Sequence, residues 1–413
     1  MAPGWAYRLG LPQPADLRIL YTLTSYPPSI GGAQLHTHRL ACELRARHSI
    51  QVVTQWQTQR SDWLLGTTLR APPSACSYEL DGVAVRAITL TPQARRRLAP
   101  WVVCYYALQG PALARIADAL AAELAPWGAQ ADVIHNCRIG REGLSYASLK
   151  LARQRRIPFV LTPVHHPRWA GWLHRYYHRL YRMADAVIAL TEAERRTLVA
   201  LGVAEDRVAV TGVGPILADS SDPARFRARH GLSDDPVVLF LGQKYAYKGV
   251  GALLTSAPKV WRRAPETRFV FVGPRTPYSR RLFAGVADHR ILELDAVGLE
   301  EKTDAIAACD ILCLPSSQES FGGVFTEAWA LGKPVVGCDI AAVRAVVDNG
   351  ADGLLTLQRP EAIADALLSL LDRPKERAEM GERGRRKVAD RYLWSRLAAT
   401  TERVYQQALT RCA

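Results

Sequence analysis

The chain has 413 residues, of which 48% are hydrophobic and 22% charged, and its formal net charge is +14. That length exceeds what one ordinary hydrophobic core organises, so we expect two domains. The composition excludes an intrinsically disordered or low-complexity chain. The excess of basic residues makes anionic partners the natural expectation.

The hydropathy of the chain predicts no membrane-spanning helix, because no window holds about 18 uninterrupted apolar residues. The N-terminal sequence MAPGWAYRLGLPQPADLR lacks the apolar centre of a secretory signal peptide. The cysteines are dispersed without a CxxC pair, and we expect Cys309 and Cys313 to be small core residues. These features predict a protein of the reducing cytoplasm.

Apolar runs alternate with helical stretches through the first half of the chain. The runs that predict strands are LRILYTL (17–23), SIQVVTQ (49–55), ADVIHNC (131–137), PFVLTPVHH (158–166) and ADAVIALT (184–191). Stretches rich in Arg and Ala separate them and have helical character. Strands and helices in alternation predict a parallel sheet with helices on its faces.

The alternation lapses into Gly, Pro, Ser and Asp near residues 213–225, which predicts a linker. It then restarts with the strand-like runs PVVLFLG and TRFVFVG, which a loop and a helix separate. We therefore predict an N-terminal domain over residues 1–215 and a C-terminal domain over residues 216–390. Both are expected to be α/β domains, because both open with strand, loop and helix.

The segment after the apolar run ILCLP places two glutamates, Glu319 and Glu327, around the sequence Phe321-Gly322-Gly323. ILCLP predicts the end of a buried strand, and FTEAWAL predicts a helix with a glycine stop. A phosphate is favoured at such a helix N-terminus, because the first backbone N–H groups lack intrahelical partners and the helix dipole is positive there. The glycines would leave room for it.

A phosphate repels a nearby carboxylate, but a carboxylate accepts hydrogen bonds from sugar hydroxyls. Glu327 follows Gly323 by one helical turn, so it shares the face of the helix N-terminus and is predicted to hold a ribose. Glu319, in the preceding loop, is predicted to face the group on the other side of a diphosphate. The alternative is that both are solvated surface acids.

The sequence ESFGGVFTEAWALGKPVV resembles the E-x7-E signature of the retaining GT-B glycosyltransferases of family four. This resemblance implies an α/β fold of two Rossmann-like domains facing across a cleft, with the terminal helix, about 391–413, completing the N-terminal domain. The implied donor is a UDP- or GDP-linked sugar, and the implied acceptor is a hydroxyl of a sugar, a glycolipid or another molecule. Phe321 and Val324, beside the glycines, belong to the implied donor site.

The loop GQKYAYKG, after the first predicted strand of the second domain, matches the cation loop of the same family. Lys248 corresponds to the lysine that neutralises the leaving diphosphate. Gln243 stands where the family usually has arginine, so a second cation is missing and Lys244 is the candidate to replace it. Gly242, at the start of the loop, belongs to the implied donor site.

Three further contacts follow from the resemblance. In PPSIGG, Gly31 and Gly32 would bring backbone N–H groups close to the diphosphate or the acceptor. His165, in TPVHHPRW after a predicted strand, matches a histidine that contacts the donor sugar. Val297 stands at the position where, in this family, the protein backbone holds the nucleotide base of the donor.

The resemblance implies transfer of a hexose without a metal or other cofactor, and no DxD pair lies near these loops. His165, Glu319 and Lys248 are the predicted catalytic residues, and stabilisation of the departing diphosphate is the expected main effect. No carboxylate is obviously placed as a nucleophile. Attack on the same face as the leaving group is therefore expected.

Two other functions fit the same pattern: a sugar-nucleotide epimerase or hydrolase of this fold, and a binding protein without turnover, to which Gln243 and Ala345 point. QARRRLAPWVVCYYAL (93–108) joins three arginines to an apolar aromatic segment. It predicts either contact with the inner face of an anionic membrane or a helix partly buried in the first domain. No nucleic-acid-binding motif is found, so nucleic acid is not an expected partner.

Overall fold

The structure is a computed structural model that describes residues 16–56, 68–69, 74–137 and 142–412. Its internal contacts define two compact units. The first unit draws on Met1–Pro163, Trp172–Ile188 and Ala398–Ala413, and the second consists of Val164–Gly171 and Ala189–Leu397. The second unit thus takes in residues before the domain boundary that we predict at residue 215, and that domain assignment stays a prediction.

Strands and helices alternate along the described residues, and both are numbered here in chain order. The strands are β1 (Arg18–Ser25), β2 (Ser49–Trp56), β3 (Cys76–Leu80), β4 (Val83–Ala87), β5 (Val133–Cys137), β6 (Phe159–Thr162), β7 (Ala186–Ala189), β8 (Val208–Val210), β9 (Val237–Leu241), β10 (Arg268–Val272), β11 (Ile291–Leu294), β12 (Ile311–Leu314), β13 (Val335–Cys338) and β14 (Gly353–Thr356). The helices are α1 (Gly32–Leu44), α2 (Pro92–Val103), α3 (Gln109–Leu124), α4 (Gly143–Arg155), α5 (Arg175–Met183), α6 (Glu192–Ala200), α7 (Pro223–His230), α8 (Val250–Trp261), α9 (Pro277–Phe283), α10 (Leu299–Ala308), α11 (Gly323–Ala330), α12 (Ala341–Arg344), α13 (Pro360–Leu371), α14 (Pro374–Arg391) and α15 (Trp394–Cys412).

Strands of the first unit lie in the order β3-β4-β2-β1-β5-β6-β7. β1 pairs in parallel with β2 and with β5, and its apolar run is buried because it lies inside the sheet. The hairpin of β3 and β4 is antiparallel, which the prediction of a purely parallel sheet missed. Its turn residues, Asp81 and Gly82, both have positive φ, so the sequence LDGV carried the signal of a two-residue hairpin.

The second sheet has the order β11-β10-β9-β12-β13-β14, and all its paired strands are parallel. Counted from β9, this is the order 3-2-1-4-5-6 of a dinucleotide-binding doubly wound sheet. Ligands of such sheets bind beyond the carboxyl ends of the strands where the order reverses. In this unit that point lies between β9 and β12.

Apolar side chains from both faces of this sheet form the core of the second unit. Every residue of β9 and β12 is buried, and the expectation that Cys309 and Cys313 are small core residues is confirmed. Trp329 of α11 is fully buried, and its indole N–H donates to the Asp352 carbonyl oxygen at 2.8 Å. No helix in the described part of the chain combines the length and the hydropathy needed to cross a bilayer.

Buried polar side chains of helix α15 form hydrogen bonds with strands and loops of the first unit. The Tyr405 hydroxyl lies 2.8 Å from the Tyr21 hydroxyl and 2.7 Å from Nδ1 of His135. Nε2 of His48 lies 3.0 Å from a Glu402 carboxylate oxygen. Burial lowers the pKa of His135 to about 3, so its ring is neutral within this network.

Gly381→Ala is expected to destabilise the protein, although alanine is favoured over glycine in a helix interior by about 0.8–1 kcal/mol. A Cβ at this position of α14 would lie 1.9 Å from the Gly332 carbonyl oxygen. The helix would have to move, and such overpacking costs about 1–3 kcal/mol. Gly285→Ala is the control, because its Cβ would meet nothing within 4 Å. Denaturant unfolding should show a lower midpoint for Gly381→Ala alone, and an equal or higher midpoint would contradict this packing.

Candidate functional site

The loops that follow β9 and β12 meet where the strand order reverses. The β9 loop ends in the short 3-10 turn Ala246–Lys248, and the ammonium of Lys248 forms an ion pair with Glu319 of the β12 loop. Both side chains are largely buried. Gly249, with φ of +80°, fixes this approach, because a Cβ there would lie 2.3 Å from the Pro315 carbonyl oxygen. The fold thus brings together a predicted cation and a predicted acid that are distant in sequence.

The helix predicted after the glycine pair is α11, and it begins at Gly323. Gly322 has φ of +86°, in the region that favours glycine, and a Cβ there would lie 2.5 Å from the Phe325 ring. No side chain caps the helix, and Gly323 and Val324 are partly exposed. The backbone N–H groups of Gly323 and Val324 are therefore available to an anion, whereas that of Phe325 donates to the Gly322 carbonyl oxygen at 2.9 Å. The Phe321 ring instead packs edge-on against Tyr392 and is buried.

Glu327 lies one turn into this helix and is buried. Its Oε1 lies 2.9 Å from Nζ of Lys302, whereas its buried Oε2 accepts no hydrogen bond from the described residues. Burial raises the pKa of Glu327, and the ammonium of Lys302 and, to a smaller extent, the backbone N–H of Ile216 oppose that shift. A buried acceptor without a partner costs about 1–3 kcal/mol. Such an oxygen is an acceptor that a ligand hydroxyl can satisfy.

Sequence reasoning did not single out Lys302, whose ammonium donates to one of the two Glu327 carboxylate oxygens. It lies in the first turn of α10, shortly after Val297, and its Nζ also donates to the Ile216 carbonyl oxygen at 2.5 Å. Val297 itself is partly buried and packs against the core of the second unit. The sequence GLEEK does not indicate that its lysine pairs with Glu327, which lies 25 residues further along the chain.

The expectation that Lys244 replaces the missing arginine needs correction. Its side chain is fully buried, and its ammonium forms an ion pair with Glu293 and donates to the Leu294 carbonyl oxygen at 2.5 Å. Burial lowers the pKa of Lys244, and Glu293 opposes that shift. Arg275 pairs with the same glutamate at 2.7 Å. Lys244 thus anchors the loop of Gly242 and Gln243 to β11, and we assign it no phosphate contact.

His165 and His166 follow β6, and the contacts of their segment group it with the second unit. The Ser320 hydroxyl, next to Glu319, lies 3.3 Å from Nε2 of His166 and 3.5 Å from the His165 carbonyl oxygen. Val164 has φ of +50°, a strained conformation for a β-branched residue. The histidine pair therefore lies beside the loop of Glu319.

Glu194 holds the backbone of His165 in place, although sequence reasoning did not single it out. One carboxylate oxygen accepts from the His165 N–H at 2.6 Å, and the other accepts from the Leu190 N–H at 2.7 Å. Thr191 caps helix α6 by accepting from the Glu194 N–H. The spacing T-x-x-E is that of a capping box, so the sequence could have singled out Glu194 as a residue at a helix N-terminus. In the structure this glutamate turns to His165 and Leu190.

In the first unit, Gly31 and Gly32 follow β1 and begin helix α1. Gly31 is extended, and a Cβ there would lie 2.3 Å from Oε1 of Gln34, whose amide donates to the Ser25 hydroxyl at 2.8 Å. Gly32 is exposed, and a Cβ there would meet nothing within 4 Å. The loop lies at the carboxyl end of β1, where the strand order of this sheet reverses. Its contact with a donor or an acceptor stays a prediction.

Two units with doubly wound, mostly parallel sheets, the second with charged loops at its switch point, define a two-domain α/β protein of the GT-B class. The family model described as "Glycosyl transferases group 1" matches residues 235–373, and that described as "Glycosyl transferase 4-like domain" matches residues 31–214. The chain therefore belongs to the group 1 glycosyltransferases, within family four.

Similar proteins are found by sequence and by structure. A D-inositol 3-phosphate glycosyltransferase of Xylanimonas cellulosilytica is 34% identical over 247 residues, which are 55% of this chain and 58% of that relative. A glycogen synthase of Mycobacterium tuberculosis is 27% identical and matches over 95% of both chains. The crystal structure of Anabaena Alr3699/HepE in complex with UDP and glucose is 19% identical, has a TM-score of 0.71 and covers 94% of this chain and 98% of its own. This last likeness concerns the fold alone.

Glu194→Gln is expected to flatten the pH dependence of stability. Burial raises the pKa of Glu194 to about 7 from an ordinary value near 4.5, against the two backbone hydrogen bonds it accepts. Between these values the folded protein holds more protons than the unfolded chain, so its stability falls as pH rises, by up to about 1.4 kcal/mol per pH unit. The glutamine variant lacks this contribution.

Unfolding free energies of both proteins, measured by denaturant from pH 4.5 to 7, check the sign. The wild type should lose stability relative to the variant as pH rises. A difference that stays constant, or that grows in the opposite direction, would show that Glu194 is ionised throughout.

Proposed function

We propose that the chain is a retaining, metal-independent glycosyltransferase that moves a hexose from a nucleotide-diphosphate sugar to an acceptor hydroxyl. The observation that carries this proposal is the open acceptor Oε2 of Glu327, buried one turn after an uncapped helix N-terminus at Gly323. An anion site followed by an unsatisfied carboxylate oxygen suits a phosphate joined to a ribose.

The donor then lies along α11 and the two switch-point loops. The ribose hydroxyls donate to Glu327, the diphosphate accepts from the first amides of α11 and from Lys248, and the backbone at Val297 holds the base. Glu319 and His165 face the sugar. Solved structures of the same fold that contain UDP with glucose, or UDP-glucose, support a nucleotide-sugar donor.

The ion pair of Lys248 and Glu319 gives this donor site a way to respond to its ligand. An incoming diphosphate competes for the Lys248 ammonium, because it carries more negative charge than one carboxylate. The released Glu319 carboxylate is then an acceptor for hydroxyls of the sugar. The pair keeps both buried charges compensated until the donor supplies new partners.

Catalysis follows from charge development on the leaving group. As the bond from the anomeric carbon to the phosphate oxygen breaks, negative charge grows on the diphosphate, where Lys248 and the α11 N-terminus stabilise it. The acceptor oxygen bonds to the anomeric carbon from the same face, and its proton passes to the departing diphosphate. Neither step needs a carboxylate nucleophile or a metal ion, in keeping with the expected absence of a cofactor.

Hydrolysis or epimerisation of the same donor, and binding without turnover, are the competing functions. A panel of UDP- and GDP-sugars, incubated with and without sugar or lipid acceptors, separates them. Transfer requires the acceptor, hydrolysis proceeds in water alone, and a binding protein shows affinity without product. Acceptor-dependent release of nucleoside diphosphate would support the proposal, and acceptor-independent release would contradict it.

We also propose that the first unit contacts anionic membrane surfaces. Helix α2 buries Leu98 and Val102 in the unit, so the expected partial burial of this helix is present. Val103 is 82% exposed at its end, and exposed Tyr106 and Leu108 follow. Gln109 donates to the carbonyl oxygen of exposed Leu173 at 3.3 Å, which joins a second apolar segment to this surface. Exposed arginines of α2 supply the positive charge for anionic lipid. The predicted cytoplasmic location stays a prediction.

Glu327→Ala and Glu319→Ala are expected to differ in kind. Glu327→Ala removes charge-assisted hydrogen bonds to the ribose worth about 1.5–3 kcal/mol, so affinity for free nucleoside diphosphate should fall about 10- to 150-fold. Glu319→Ala should not lower that affinity, because it frees the Lys248 ammonium for the diphosphate. It should lower the transfer rate, because its contact serves the group being transferred. Calorimetry with UDP and GDP, beside transfer rates, measures both effects. Equal losses of nucleotide affinity would show that these roles are wrong.

Val103→Ser combined with Leu108→Ser is expected to weaken binding to anionic liposomes, because it removes exposed apolar side chains from the contact surface. Leu357→Ser, at an exposed leucine of the second unit, is the matched control. Sedimentation of the wild type should also be lost near 1 M salt, where the screening length is about 3 Å. Binding that ignores lipid charge, or that the control variant weakens equally, would contradict the proposal.

A further inference from the structure

Three metal-ligating side chains converge in the first unit, outside the proposed donor site. His38 and Cys42 lie one turn apart on α1, and Asp81 lies in the turn between β3 and β4. Nε2 of His38 is 2.8 Å from Oδ2 of Asp81 and 3.7 Å from Sγ of Cys42. The three donor atoms all lie within 4.8 Å of one another.

The geometry differs from that of a cysteine nucleophile with its base. In such a triad, the thiol and the acid occupy opposite nitrogens of the imidazole. Here the Asp81 carboxylate lies at Nε2, and the Cys42 thiol lies beside the ring, 3.7 Å from Nε2 and 4.0 Å from Nδ1. The other nitrogen, Nδ1, is 2.8 Å from the buried Tyr26 hydroxyl. Three donor atoms within 4.8 Å of one another, with Nδ1 of His38 held by a neighbour, can be drawn together by a metal ion.

We propose that His38, Cys42 and Asp81 bind a Zn²⁺ ion. Zinc takes nitrogen, sulfur and oxygen ligands at about 2.0–2.3 Å in a tetrahedral arrangement, so its ligand atoms lie about 3.4–3.6 Å apart. The 3.7 Å from Nε2 of His38 to Sγ of Cys42 is close to this spacing, and the thiol has to turn from its place beside the ring towards the Nε2 side. Asp81 has only to withdraw by about 0.6 Å to reach the lower end of that spacing, and its side chain is 69% exposed on a hairpin turn. Water would complete the coordination.

Charge and protonation at the cluster fit a divalent cation. A thiolate, a carboxylate and a neutral imidazole together carry the two negative charges that neutralise Zn²⁺. Binding replaces the thiol proton of Cys42 by the metal, so it releases a proton. With zinc bound, the Tyr26 hydroxyl would accept the Nδ1 proton of His38, which would leave the Nε2 lone pair for the ion.

The ion would join helix α1 to the hairpin of β3 and β4. Since α1 begins at the Gly31-Gly32 loop, the site would fix the helix that carries this loop. This role is structural and independent of the proposed transfer reaction. A failure of either proposal would leave the other standing.

Titration of the reduced full-length chain with Co²⁺, followed by displacement with Zn²⁺, tests the site. We expect one equivalent of Co²⁺ to give a thiolate-to-cobalt charge-transfer band, and Zn²⁺ to abolish it. Cys42→Ser should lose the band, whereas Cys104→Ser, at an exposed cysteine of the same unit, should keep it. Zn²⁺ should also raise the melting temperature of the wild type and not that of Cys42→Ser.

Two milder variants keep the test decisive if Cys42→Ser folds poorly. Asp81→Asn tolerates the positive φ of this turn, and Tyr26→Phe removes only a hydroxyl. Each should weaken zinc affinity by at least about 10-fold, because Asp81→Asn removes the charge of a ligand and Tyr26→Phe removes the partner that supports His38. A wild type without the band, or a band that Cys42→Ser retains, would overturn the proposal. The cluster would then be a hydrogen-bonded chain from Tyr26 through His38 to Asp81.

Discussion

The turn at Gly322, with φ of +86°, is the constraint on which the rest of the site depends. It starts helix α11 at the carboxyl edge of the second sheet, so that Glu319 precedes the helix N-terminus and Glu327 follows it by one turn. Each acid is buried beside a lysine from another part of the chain, Lys248 or Lys302. Burying an uncompensated carboxylate costs several kcal/mol, so these lysines allow two acids to flank an anion site.

The two ion pairs differ in what they leave for a ligand. Lys302 engages one oxygen of Glu327 and leaves the other as a buried acceptor, which suits a neutral hydroxyl. Lys248 pairs with Glu319 at the switch point, where a more highly charged ligand can take the ammonium. The second unit also holds the His165 segment beside Glu319, through Ser320 and Glu194. Binding and positioning groups thus lie together in the second unit.

Sequence patterns predicted what depends on local chemistry. The apolar runs at β1, β9 and β12 marked buried strands because both faces of these sheets are covered. The spacing of Glu319, the glycines and Glu327 predicted the turn and the helix. Lys302 and Glu293 escaped notice because their partners lie 25 and 49 residues away, and only the strand order brings each pair together. Lys244 was assigned to phosphate because a sequence cannot show that its ammonium is buried.

A crystal structure of the chain with a bound nucleoside diphosphate tests the central claim most directly. We expect a ribose hydroxyl within hydrogen-bonding distance of Oε2 of Glu327. We also expect phosphate oxygens on the amides of Gly323 and Val324, and a Lys248 ammonium turned from Glu319 to the diphosphate. A nucleotide that binds in the second unit while Oε2 of Glu327 stays without a partner, and Lys248 stays on Glu319, would contradict it.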